Sequence, residues 1–141
     1  MLKADVGQIC FIRMFEGDDL LDTIKRSAEQ CGVKAGVFTL IGALKNVVMG
    51  CYKNEEYVYT RLDGPMEIAS CMGNIAVDEK GEVIIHAHLV VSNEKGEAFG
   101  GHLMKDSLVG PTAELMIIEA SGADLRRLFE EKTKLKLLKL S

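Results

Sequence analysis

All three histidines of the chain, His86, His88 and His102, fall within seventeen residues. His86 and His88 are spaced i, i+2 in the run Ile84, Ile85, His86, Ala87, His88, and His102 follows Gly100 and Gly101. Side chains alternate faces along a β-strand, so His86 and His88 project to the same side, roughly 6.5 Å apart. That spacing lets two imidazoles converge on one ion while a third arrives from a neighbouring strand. Three neutral imidazoles leave a fourth tetrahedral position for water or substrate, which is the pattern of open zinc sites. The competing account makes His86 and His88 half-buried polar residues bonded to their neighbours, with His102 in a loop. Gathering all three beside a glycine pair favours the metal.

The elements that must position them follow from alternation. In residues 82–92, Val83, Ile85, Ala87, Leu89 and Val91 form an apolar core face. His86 and His88 share the opposite face with Ile84 and Val90, so that face is also covered. Residues 93–96 turn the chain back. With a turn of that length His102 pairs with Ala87 and points into the wrong layer. One extra residue, as a bulge at Gly100 and Gly101 or as a longer turn, sets His102 opposite His88.

The remaining segments build a scaffold around this hairpin. Residues 6–14 read as a strand with Ile9, Phe11 and Arg13 on one face. Asp18 is a plausible N-cap for a helix ending near Cys31, with Leu20, Leu21, Ile24 and Ala28 as its apolar stripe and Gly32 as its left-handed stop. Residues 34–41, 45–52, 56–61, 66–77 and 112–120 read as further strands, with a bend at Gly42 and turn chemistry at 63–65. Residues 123–133 carry Leu125, Leu128 and Phe129 at helical spacing and read as a second, short helix; 134–140 reads as a lysine-studded edge strand. The expected class is α+β: a twisted, largely antiparallel sheet with flanking helices, in a single domain over 1–141.

Glu67 and Glu114 each interrupt apolar, strand-like sequence, and Arg13 is a cation able to pair with one of them. A carboxylate buried in such a run needs a partner, so these three are candidates to orient the histidines or line a pocket beside them. No nucleophile elbow, P-loop or dinucleotide fingerprint occurs. Cys10, Cys31, Cys51 and Cys71 form no Cys-x-x-Cys pair and read as reduced, which with the absence of a signal-like start points to the cytoplasm. No apolar run approaches the ~20 residues of a membrane span. The net charge of −4 opposes nucleic-acid binding by an overall basic surface.

Taken in order, Arg13, the Gly17, Asp18, Asp19, Leu20 run, Ile41 to Ala43, Glu67 with Ile68, Gly73, His86 with His88, the Gly100, Gly101, His102 element and Thr112 to Glu114 resemble the plants-and-prokaryotes conserved (PPC) domain family in its stand-alone prokaryotic form. The resemblance implies a homotrimer holding a metal, zinc or another divalent transition ion, on His86, His88 and His102. It also implies a candidate DNA-binding or regulatory role, although the Arg-Gly-Arg-Pro hook of plant members is absent here. A metal-dependent enzyme is the alternative, with an open three-histidine site and Glu67 or Glu114 as base. No catalytic residue or small-molecule ligand is assigned from the sequence.

Overall fold

Two long strands dominate the chain. The computed structural model describes residues 1–140 of 141. Its elements are β1 (Asp5–Phe15), α1 (Leu20–Gln30), β2 (Gly36–Lys53), β3 (Glu56–Val77), β4 (Val83–Ser92), β5 (Ala98–Leu103), β6 (Leu108–Ser121), β7 (Leu125–Glu130) and β8 (Leu135–Leu140). The segments expected as separate strands around Gly42 and around residues 63–65 are continuous. β2 bends at Gly42, whose φ of 139° suits glycine, and the β2–β3 ladder shifts register beside it. β3 runs straight through the Gly64–Pro65 segment because β2 pairs with it on both sides of that point.

The eight strands form one sheet in the order β1-β6-β2-β5-β4-β3-β7-β8, and β2 also pairs with β3. The added pairing closes β2, β5, β4 and β3 into a ring. Its shortest seam is β2–β5, where Met49 pairs with Leu103 and Gly50 with His102. All pairings are antiparallel except β3–β7, which meet in parallel at Val77 and Arg126. Leu40, Val47, Ile75, Leu89, Leu103 and Leu115, each 2% exposed or less, belong to the core inside the curl. α1 packs on that core through Leu20, Ile24 and Ala28. Its N-cap is Asp19, one residue beyond the expected Asp18: the Asp19 carboxylate accepts from the Asp22 N–H at 2.9 Å and the Asp106 N–H at 2.7 Å. Gly32 ends the helix at φ 70°, as expected.

The α+β expectation with flanking helices is corrected here. Strands make up 67% of the chain and helix 8%, so the protein is mostly β with a mixed sheet. The error lies in residues 123–133. Their apolar spacing fits a helix, but residues 125–130 pair with β8 from Leu125–Leu140 through Glu130–Leu135. Local propensity is a weak constraint that a six-rung ladder overrides. The edge strand expected at 134–140 is present as β8, and its partner is the stretch read as helical.

Candidate metal centre

The turn between β4 and β5 spans five residues, so Ser92 pairs with Ala98 and His88 lies directly opposite His102. Of the two expected ways to shift the register, the longer turn is the one used; the ladder from Ser92 to His88 is regular. The Asn93 side chain organises this turn by accepting from the Lys95 and Glu97 N–H groups, both at 3.0 Å. The glycines serve close approach instead. A Cβ on Gly101 would lie 3.1 Å from the Gly50 carbonyl oxygen and the Met49 Cβ, and one on Gly100 3.1 Å from the Leu89 carbonyl oxygen. Glycine therefore lets β5 fit tightly between β2 and β4.

The three imidazoles converge on the outer face of the ring. Ring centroids are 5.0 Å apart for His86–His88 and His86–His102 and 5.4 Å for His88–His102. One nitrogen from each ring lies within 4.8 Å of the others, close enough to hold a single ion. His86 and His102 are half-buried and His88 is exposed, so the cluster opens to solvent on the His88 side. Tyr57 from β3 lies against His102 at 5.2 Å between centroids. Gly50 makes that contact feasible, because a Cβ there would fall 2.7 Å from the Tyr57 ring.

The far wall comes from the β7–β8 hairpin. Arg127, only 6% exposed, donates through Nη1 to the Lys136 carbonyl at 3.1 Å and through Nη2 to Asn74 Oδ1 at 3.0 Å. Nη2 also lies 2.7 Å from His86 Nδ1, which must accept, since a guanidinium only donates. Burial, then the charge of Arg127, then the neighbouring imidazoles push the His86 pKa from 6.5 down to about 4. Burial, His88 and Arg127 hold His102 below its ordinary value. Both rings are thus neutral at physiological pH, the form in which imidazole binds metals. The donor set and its spacing fit a divalent transition ion; a His86 that ligates an ion either carries its proton on Nδ1 or binds through Nδ1, so the Nδ1 contact with Arg127 belongs to the metal-free ring.

Arg13, Glu114 and Glu67 lie elsewhere. Arg13 and Glu114 are cross-strand partners on β1 and β6, lining a shallow cleft with Phe11 and Ile41. Arg13 contacts Thr112 at 3.4 Å and stacks over Phe15. Glu67 is exposed on β3, opposite Ser92. None of the three lines the histidine cleft. Arg127 and Tyr57 are the side chains that touch the histidines, and Asn74, the cross-strand partner of His86, accepts from Arg127. Asn74 carried a usable signal, as a lone amide in an apolar strand. Arg127 carried none once its segment was read as a helix.

A strand-built ring with three neutral histidines on its outer face defines a class of candidate metal-site domains. The family model of the Plants and Prokaryotes Conserved (PCC) domain matches residues 1–121, and the chain belongs to that family. Among solved structures it is similar to a plant- and prokaryote-conserved protein of Pyrococcus horikoshii, with 32% identity, a TM-score of 0.90 and coverage of 100% of this chain and 99% of that one. A metal-containing protein of Archaeoglobus fulgidus is 31% identical with a TM-score of 0.88, covering 99% and 98%. A candidate DNA-binding protein of Ralstonia eutropha JMP134 shares the fold at 23% identity, with a TM-score of 0.82 and coverage of 93% and 90%. The chain also matches the bifunctional protein GlmU of Synechococcus sp. (strain JA-3-3Ab), 29% identical over 111 residues and 77% of this chain, but spans only 17% of that relative's length.

Proposed function

We propose that this protein is a metal-binding, homotrimeric PCC-domain protein with a regulatory role, holding one zinc ion per chain on His86, His88 and His102. The observation that carries the reading is the convergence of three imidazoles with their ligand atoms within 4.8 Å. The description of the Archaeoglobus relative as metal-containing supports it. An all-nitrogen donor set suits zinc or a neighbouring transition ion and disfavours the hard cations calcium and magnesium. When bound, such an ion supplies Lewis acidity and an anchoring point for a ligand. The chain's own groups hold the imidazoles neutral and wall one side of the cleft.

Assembly is supported by the apolar outer face of β1, β2 and β6. Phe11 is 79% exposed and Ile41 59%, and both border a cleft of about 530 Å³. A contiguous apolar patch of this kind marks an interaction surface. The trimer is the assembly that the family resemblance implies. Two similar structures are described as candidate DNA-binding proteins, whereas this chain carries a net charge of −4, so the regulatory reading does not rest on direct DNA contact. Four free cysteines support a reducing, cytoplasmic setting. Among the described residues no helix is long and apolar enough to cross a membrane.

The test joins elemental analysis to light scattering. Purified protein should carry about one zinc per chain and run as a trimer, and His88→Ala should lose the metal while staying folded. Metal content unchanged by His88→Ala and by His102→Ala would refute the site.

A further inference from the structure

We infer that the cleft beside the histidines is an anion site. Arg127 and Tyr57 receive an anionic oxygen donor, a carboxylate or phosphate group of a small molecule, which would also reach an ion held by the three histidines. The inference rests on the metal reading above and deepens it.

Charge balance is the first argument. Arg127 is 6% exposed, and every contact it makes is to a neutral acceptor: the Lys136 carbonyl, the Asn74 amide oxygen and the His86 imidazole. Its Nε is buried with no partner at all. Buried arginines are ordinarily paired with carboxylates, because an uncompensated charge in a low-dielectric setting is costly. No carboxylate lines this cleft of about 190 Å³. Its nearest acidic groups, Asp78 and Glu79, reach Lys136 instead, at 3.2 and 3.7 Å.

Loading the site sharpens the imbalance. Ligation of an ion by His86 would leave Nδ1 protonated or metal-bound, so Arg127 Nη2 would lose the acceptor it now has at 2.7 Å and would face the divalent ion as a second cation. Coulomb repulsion between them is poorly screened in a half-buried site. An anionic oxygen reaching both offsets it, as in charge-assisted bonds of guanidinium to carboxylate or phosphate. The Tyr57 hydroxyl, which lines the cleft, adds a donor, because a phenol keeps its proton at neutral pH. Ile84, Leu135 and Leu137 supply an apolar wall for the remainder of a small ligand.

The test uses cobalt(II) in place of zinc, because its visible spectrum reports changes in coordination. After metal content is measured, the loaded full-length protein is titrated with malonate and, separately, with inorganic phosphate at constant ionic strength. A saturable spectral change is expected with at least one of them, and the responding anion identifies the source as carboxylate or phosphate. Compared at equal cobalt occupancy, Arg127→Gln should weaken that binding about tenfold or more, with Arg127→Lys recovering part of it. Tyr57→Phe gives a second, milder reading on the same cleft, expected to weaken binding severalfold even if Arg127→Gln fails to fold. Cobalt bound at one per chain with no response to either anion at tens of millimolar overturns this inference alone. So does a response that neither Arg127→Gln nor Tyr57→Phe alters. Failure to bind cobalt overturns the metal reading and this one with it.

Discussion

Metal-free protein should lose stability on mild acidification in a window set by His86. The folded-state pKa of His86 is about 4, against an ordinary value of 6.5. Between those values the unfolded chain binds a proton at this position and the folded chain does not, so stability rises with pH there. The contribution is therefore fully present above pH 6.5 and is lost progressively as pH falls toward 4. A gap of that size corresponds at most to about 3.4 kcal/mol at about 1.4 kcal/mol per pH unit. The ring is only half-buried, and solvent screening brings the expected effect to roughly 1–2 kcal/mol. Asp78, held low first by the Glu82 N–H, and Glu16, held low by Lys45, titrate below their ordinary values of 3.8 and 4.5 and so act at the acid end of the window or beyond it. The assay is urea denaturation of chelator-treated protein at fixed concentration, at neutral pH and at two steps down toward 4.5, alongside His86→Asn. Wild type should lose on the order of 1–2 kcal/mol more than the variant over this range. Parallel curves for the two proteins would show that burial and Arg127 do not disfavour the imidazolium, and the account of why the site stays neutral would fall.

Gly50→Ala places a Cβ 2.7 Å from the Tyr57 ring and 3.2 Å from Met104 Sδ. We expect about 1–3 kcal/mol of destabilisation in urea titrations and a metal affinity reduced at least severalfold, because Tyr57 is displaced against His102. Asp19→Ala removes the acceptor for two N–H groups, from Asp22 and Asp106, and should cost about 1–2 kcal/mol in the same assay with little effect on metal content. Phe11→Asp puts a charge on the most exposed part of the apolar face. It should shift the light-scattering mass toward the monomer, and an unchanged mass would place the interface elsewhere.

The histidine hairpin was legible because parity is a strict rule. The apolar face from Val83 to Val91 requires His86 and His88 to point outward, and His102 can join them only if the turn gains a residue. α1 was legible from its stripe and stop signals, to within one residue at the cap. Long-range pairing is where local reading failed. Nothing near Gly42 or Gly64 says that β2 and β3 continue, because the reason lies in the strand alongside. Residues 125–130 satisfy helical spacing and become a strand only because β8 folds back on them. That misreading hid Arg127, and with it the cation beside His86. Glu67, Glu114 and Arg13 drew notice as charges in apolar strands, yet those strands have one face outside the core, which accommodates charge without any site.

The β7–β8 hairpin joins the ring through one backbone bridge, between Val77 and Arg126. Its other ties include side-chain contacts: Arg127 to Asn74 and His86, Lys136 to Asp78, Phe129 N–H to Glu79 and the Tyr52 hydroxyl to the Thr133 carbonyl. The family match ends at residue 121, so this wall of the cleft lies outside the portion that defines the family. The histidines and the Arg127 wall beside them are thus carried on separate lengths of chain. Substitutions in the hairpin would remove Arg127 without touching the ladder that brings His88 opposite His102. Rings that keep the same three imidazoles would then differ in what lies beside them, which makes the β7–β8 hairpin, more than the histidines, the segment to compare when relatives are sorted by ligand.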